Sequence, residues 1–379
     1  MWRWFDEEDL RLLKEVLDSG HLNAIGGQQT PAFEREFAQA VGAEHAVAVC
    51  NAMAGLHAAV AASGAGAGDE VVVDSIVGFG ALAAIYNCAT PVFADIDPAT
   101  HNMSPASLRQ RITERTKAVI VTHLWGLCAD MDEIVSIARE HNLLVIEDCA
   151  HALFATYNGR YAGTIGDYGV FSFQQSKHMT TGDGGMVVCA SEELADRIRE
   201  FINFGTIPER LAWNYRMNEL TAAVGRVQLT RAREYVRACQ RNAGLYNDAV
   251  VGCEWLAPQA VPPGREHAYH IWAAAFYGER AGITLTAFRQ ACEAEGFWAS
   301  FSYIGKPPYL HEVIRQPLAY GRGCPTRCPH LCAPADYREG LCPNAEDLMP
   351  RLIILGPCGD YDAHARNAEA LRQAIERLA

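Results

Sequence analysis

Two residues distant in the chain carry the first chemical hypothesis. Asp148 closes the apolar run Leu143-Leu144-Val145-Ile146-Glu147, which reads as a buried strand. Lys177 follows within Ser172-Phe173-Gln174-Gln175-Ser176-Lys177-His178-Met179-Thr180-Thr181-Gly182-Asp183-Gly184-Gly185, a Ser/Thr/Gly-rich loop rather than an amphipathic face. Taken singly, Asp148 is a helix cap or turn residue and Lys177 a solvated surface group. Together they match what pyridoxal phosphate (PLP) chemistry needs: an amine for a Schiff base and a carboxylate that keeps the pyridine nitrogen protonated. Ligands of open α/β sheets bind beyond the carboxyl ends of strands, where Asp148 falls. A phosphate group needs hydroxyls and free backbone N–H groups at a helix start. Ser172, Asn51 and the turn Ala52-Met53-Ala54-Gly55 supply them, between the apolar segment 46–49 and a helix expected from Ala54.

The elements that must position these groups follow from hydrophobic pattern. Val71-Val72-Val73, Pro91-Val92-Phe93-Ala94, Ala118-Val119-Ile120-Val121 and Leu143-Leu144-Val145-Ile146 are short continuous apolar strands, separated by helical stretches such as 131–141. This alternation predicts βαβ units and a mostly parallel sheet. Val170-Phe171-Ser172-Phe173 and Met186-Val187-Val188-Cys189 read as neighbouring strands of the same sheet. Helices are expected over 9–17, from 191 to 201, and over 219–246. Beyond the Pro258, Pro262, Pro263, Gly264 break come a strand over 267–277 and helices over 284–295 and 363–378. The expectation is an α/β protein with a large domain over 1–235 and a smaller α+β domain over 236–379, the N-terminal helix packing on the latter.

Further segments carry a family pattern: Ala89-Thr90-Pro91-Val92-Phe93-Ala94-Asp95-Ile96-Asp97-Pro98, His123-Leu124-Trp125-Gly126, Gly163-Thr164-Ile165-Gly166-Asp167, Asn214-Tyr215-Arg216-Met217-Asn218-Glu219 and Cys342-Pro343-Asn344-Ala345-Glu346. With the Lys177 loop, their order and spacing resemble the DegT/DnrJ/EryC1/StrS aminotransferases, fold-type I PLP enzymes that aminate keto-sugars and keto-cyclitols. The resemblance covers nearly the whole chain. By position it implies that Lys177 is the Schiff-base lysine, Asp148 the pyridinium partner and Ser172 a phosphate ligand. Asn214 would reach the phosphate bound by the other subunit of a homodimer with shared active sites. His151 falls where the family has Gln beside the cofactor's phenolic oxygen, and its charge is expected to titrate there.

Two departures stand out. The family's Gly-Thr-Ala phosphate turn reads Ala52-Met53-Ala54, so backbone N–H groups carry more of that contact. The ring-stacking slot holds Val77 in an ungapped reading. Phe79, two positions on, is preferred because stacking needs a flat π face. Sugar 3-dehydratases of this fold replace the lysine by histidine. Here Lys177 fills that position and His178 follows, which favours transamination, with glutamate or glutamine as the implied donor. Gln174-Gln175 resembles members acting on inososes. Rival readings are a PLP-dependent epimerase, dehydratase or cyclase on an amino sugar, and a PLP-binding regulatory protein without turnover. Trp125, His178, Tyr303, Tyr309 and Arg322 are the expected substrate contacts. Trp213, His270 and Trp272 are read as packing residues.

Composition bounds these readings. The chain has 379 residues, 50% apolar, with a net charge of -13, which excludes a phosphate-tracking nucleic-acid protein. The acidic N-terminus has no signal-peptide core, and no apolar run is long enough to span a membrane. Thirteen scattered cysteines do not form a disulfide scaffold, so a reduced cytoplasmic protein is expected. Cys324, Cys328, Cys332 and Cys342, with His330 nearby, do not have the paired spacing of zinc ribbons, and no metal is assigned. Pro325, Pro329, Pro334 and Pro343 instead suggest a stiff loop over 322–343, covering the active-site mouth with Tyr303, Lys306, Tyr309, Tyr320 and Arg322 nearby.

Overall fold

The computed structural model describes residues 4–204, 211–316, 320, 323–327 and 335–378. The chain runs through α1 (Glu7–Ser19), α2 (Gln29–Val41), β1 (His45–Val49), α3 (Ala52–Ala62), β2 (Glu70–Asp74), α4 (Phe79–Tyr86), β3 (Thr90–Ala94), α5 (Pro105–Arg111) and β4 (Thr116–Thr122). It continues with α6 (Met131–Glu140), β5 (Leu144–Asp148), β6 (Thr156–Tyr157), β7 (Arg160–Tyr161), β8 (Tyr168–Ser172), β9 (Gly185–Cys189), α7 (Glu192–Ile202) and α8 (Glu219–Ala249). The rest is β10 (Leu256–Pro258), β11 (Arg265–Glu266), β12 (Trp272–Phe276), α9 (Leu285–Glu295), α10 (Glu312–Arg315), α11 (Pro343–Leu348), β13 (Leu352–Leu355) and α12 (Tyr361–Glu376).

The central sheet has the order β1-β9-β8-β5-β4-β2-β3, and β9 alone runs against its neighbours. Its strands are apolar on both faces because both faces are covered. Val71 and Val73 of β2, Ala118 and Ile120 of β4, and Tyr168 and Val170 of β8 join one core cluster. Val72, Val119, Val121 and Phe171 join another on the opposite face. This is the period-2 pattern of a doubly covered parallel sheet. In register, Thr122 pairs with Asp148 and Asp148 with Val170, while Ser172 pairs with Gly185. The carboxyl ends of β1, β2, β4, β5 and β8 therefore open on one edge.

A second sheet, β10-β12-β13, packs with α9, α12 and the end of α8 around a separate core that includes Trp272, Phe276 and Phe288. α8 runs unbroken through residue 235 and serves both bodies. α1 does not pack on the C-terminal body. Its Leu12 and Val16 lie against Ala223 and Val227 in the first half of α8, because that stripe is the apolar surface the helix start leaves open.

The strand expected over 267–277 is also corrected. Only Trp272–Phe276 forms a strand. The preceding residues cross beneath the sheet edge as a strap, with Ala268 N–H bonding Gly126 O at 2.9 Å and Ile271 N–H bonding Trp125 O at 3.2 Å. Gly126 is required here: a Cβ would stand 2.9 Å from the Tyr269 nitrogen and from the His151 carbonyl oxygen, and its φ is +111°.

Candidate active site

The quoted motifs divide by role once their contacts are seen. Glu147 points away from the site into a nest of donors, accepting from Gly163 N–H at 2.8 Å, Ile165 N–H at 2.7 Å, Gly166 N–H at 2.6 Å and His123 Nε2 at 2.8 Å. Burial pushes its carboxyl up, and the His123 and N–H contacts more than offset this. Glu219 accepts from the N–H groups of Gln28, Gln29 and Thr30 and so closes the start of α2. Asp95 accepts from Asn344 and Ala345 at the start of α11, both at 3.0 Å. These motifs are scaffold.

Asp148 is at the end of β5, 2% exposed, with Ala150 N–H donating to Oδ1 at 3.0 Å. Burial raises its pKa, while that bond and the charge of Lys177 oppose the rise. Lys177 leaves a tightly tied loop. Its N–H bonds Gln174 O at 2.9 Å, Ser176 N–H bonds Gln174 Oε1 at 2.7 Å, and Thr181 N–H returns to Phe173 O at 3.0 Å. Burial lowers the Lys177 pKa to about 8, against the pull of Asp148. The neutral amine that a nucleophile and proton carrier requires is thus reached much closer to neutral pH than in a free lysine.

Both groups line one cavity of about 1010 Å³, together with Asn51, Ala52, Met53, Phe79, His151, Ser172 and Tyr303. The floor is the N-terminus of α3, where Asn51 caps by accepting from Ala54 N–H at 2.9 Å. The N–H groups of Ala52 and Met53 head the helix, the arrangement that receives a phosphate. Gly185 lets this turn sit against β9, since a Cβ there would lie 2.8 Å from both Ala52 N and Asn51 C.

His151 is buried, and its Nδ1 has no hydrogen-bond partner among the described residues. Its ring is stacked between Trp125, 5.9 Å away at 12°, and His270, 4.5 Å away at 27°. The expected titration is corrected: burial first, then Lys177 and His178, hold its pKa well below the usual value, so it works as a neutral imidazole. The pocket size, the amine beside a buried carboxylate, the open helix start and the orphaned Nδ1 together fit PLP.

Three expected substrate contacts are not at the cavity wall. Tyr309 is fully buried against Phe93 and donates its hydroxyl to Glu346 at 2.5 Å, a packing role enforced by that bond. Trp125 is fully buried behind His151 and touches Tyr303 edge-on. His178 is 1% exposed, with Nε2 3.0 Å from Ala268 O. Arg322, Cys328, His330 and Cys332 lie outside the described residues. Cys342 is buried with its Sγ 3.7 Å from Phe93 O. Asn214 is exposed and paired in a short bridge with Asn203.

The sequence reading missed Cys50, Leu56, Ser176, Asp183, Ile271, Gly356 and Cys358 on the cavity wall, and took His270 for packing. Ser176 and Asp183 lie in the quoted Lys177 loop and Cys50 and Leu56 flank the phosphate turn, whereas Ile271, Gly356 and Cys358 come from segments without a local signal. His270 reaches the wall from the strap while remaining only 8% exposed. The expectation of no disulfide is also corrected. Cys239 of α8 is joined to Cys358 in the loop after β13, across 119 positions, because the two elements pack together there.

The sequence pattern of the DegT/DnrJ/EryC1/StrS aminotransferase family matches residues 4–330. GDP-perosamine synthase of Caulobacter vibrioides is 40% identical over 309 residues, 78% of this chain and 82% of that one. The UDP-N-acetyl-3-dehydro-alpha-D-glucosamine 3-aminotransferase of Acidithiobacillus ferrooxidans is 36% identical over 355 residues, 92% of this chain and 88% of that one. Among solved structures, S. venezuelae DesV in complex with a ketimine intermediate superposes with a TM-score of 0.84 at 29% identity, covering 98% of this chain and 95% of that one.

Proposed function

Because the chain belongs to the DegT/DnrJ/EryC1/StrS aminotransferase family and is a PLP-dependent aminotransferase, we propose that it moves an amino group from glutamate or glutamine to a keto-sugar or keto-cyclitol. Lys177 and Asp148 on one cavity wall carry the reading. When bound, the cofactor supplies a carbonyl for the amines and an electron sink for the charge left when a proton is removed. Lys177 then holds and moves that proton, since its lowered pKa suits both directions of transfer near neutral pH. Asp148 would hold the cofactor's ring nitrogen, whose positive charge would offset the cost of its burial. His151 would donate to the phenolic oxygen, Phe79 would cover the ring, and Ala52, Met53 and Ser172 would hold the phosphate. Gln174, Asp183, His270 and Tyr303 present polar groups around the remaining space, which suits a polyhydroxylated acceptor.

A homodimer belongs to the same proposal, with Asn214 reaching the partner's phosphate site. An exposed apolar surface supports it: Phe79 at 47%, Tyr86 at 44%, Trp213 at 42% and Leu211 at 86% exposure. The proposal also includes a division into a large domain over 1–235 and a small one over 236–379, and a cytoplasmic location. Among the described residues no helix is long and apolar enough to cross a membrane.

The test charges the enzyme with its amino donor and offers nucleotide-linked keto-sugars and inososes. Recovery of the visible cofactor band with one of these classes is expected. Recovery only with simple keto acids would defeat the sugar or cyclitol assignment.

A further inference from the structure

Cys239 is fully buried on α8, and Cys358 stands on the cavity wall with its Cα 4.8 Å from that of Cys239. A ring nitrogen of His178 lies within 4.8 Å of both sulphur atoms. Two features keep these groups together without the S–S bond. Asn242, three residues along α8 from Cys239, donates Nδ2 to Pro357 O at 2.8 Å and to Gly359 O at 3.4 Å, the residues on either side of Cys358. His178 is held by a hydrogen bond between Nε2 and Ala268 O at 3.0 Å. A backbone carbonyl fixing one nitrogen of a histidine is the support that metal-binding imidazoles carry.

We propose that the reduced pair Cys239 and Cys358, with His178, binds one thiophilic divalent cation of the zinc class, and that disulfide formation closes this site. Two thiolates and a neutral imidazole are a soft donor set of the kind that selects zinc over hard cations. Two thiolates also neutralise the ion's charge. Three protein ligands leave a fourth position for water. Opening the site needs a two-electron reductant, which two thiols supply. The S–S bond breaks, each sulphur takes one electron and one proton, and two reductant thiols leave joined as their own disulfide. Cation binding then displaces the two thiol protons.

The holoenzyme is reduced with a water-soluble phosphine, which departs as its oxide while water supplies the oxygen and both thiol protons. After anaerobic removal of the reagent it is titrated with Co²⁺ and then Zn²⁺, beside the oxidised holoenzyme. The reduced enzyme should take up one Co²⁺ per chain with a thiolate charge-transfer band that Zn²⁺ abolishes, and the oxidised enzyme none. Cys239→Ser, Cys358→Ser and His178→Asn should each weaken binding by about a hundredfold or more, with retained visible cofactor absorbance showing that each is folded. Should Cys239→Ser fail to fold, Cys358→Ser and His178→Asn decide. No thiolate band in the reduced enzyme, equal uptake by the oxidised enzyme, or wild-type affinity in the folded variants overturns the proposal.

Discussion

Lys177 imposes a stability penalty on the apoenzyme that can be measured before any substrate is identified. Burial brings its pKa from 10.5 to about 8. The unfolded chain thus keeps this proton up to about 10.5, whereas the folded chain releases it near 8. Between those values the unfolded state binds more protons, so stability gains with rising pH; below about 8 the folded state bears the full cost of a buried ammonium. At about 1.4 kcal/mol per pH unit, a depression of about 2.5 pH units gives about 3 kcal/mol, an upper bound because water in the cavity screens the charge. Lys177→Met keeps the stem and removes the charge. Urea unfolding of both apoenzymes at one protein concentration, from pH 7 to 10.5, isolates the effect because titrating groups that do not feel the Lys177 charge cancel in the difference. The variant's advantage should be larger at pH 7 by up to about 3 kcal/mol and shrink as pH rises through 8 to 10.5. A difference that stays flat over this range, or grows with pH, would refute the reasoning.

Two further substitutions test the scaffold. Gly185→Ala drives a Cβ to within 2.8 Å of the Asn51–Ala52 backbone; overpacking of about 1–3 kcal/mol should weaken cofactor affinity about ten- to hundredfold, read by equilibrium dialysis. Glu219→Ala strands three backbone N–H groups and the Thr30 hydroxyl at the start of α2. It should cost about 3 kcal/mol or more in urea unfolding while the cofactor's spectrum is retained.

The sheet was legible because a parallel sheet covered on both faces forces continuous apolar runs, as in Val71-Val72-Val73. Lys177 and Asp148 were legible because their types are scarce in the contexts where they occur, a tied small-residue loop and a strand end. Tyr309 and His178 misled for a related reason: an aromatic or an imidazole near the site has the same sequence signature whether it faces a ligand or, as here, Glu346 and Ala268. The strap bearing His270 was hidden because its alternation mimics a strand, while its hydrogen bonds go to Trp125 and Gly126. The pairing of Cys239 with Cys358 depends on how α8 meets the loop after β13, which no local pattern encodes.

The most direct test of a Lys177-dependent aminotransferase mixes purified holoenzyme with single amino acids and follows the visible cofactor band. Wild type should lose that band with glutamate or glutamine and release one keto acid per active site, while Lys177→Ala should show neither the wild-type band nor this exchange. A wild-type protein that binds no PLP, or whose band is unchanged by every amino acid offered, would contradict the account.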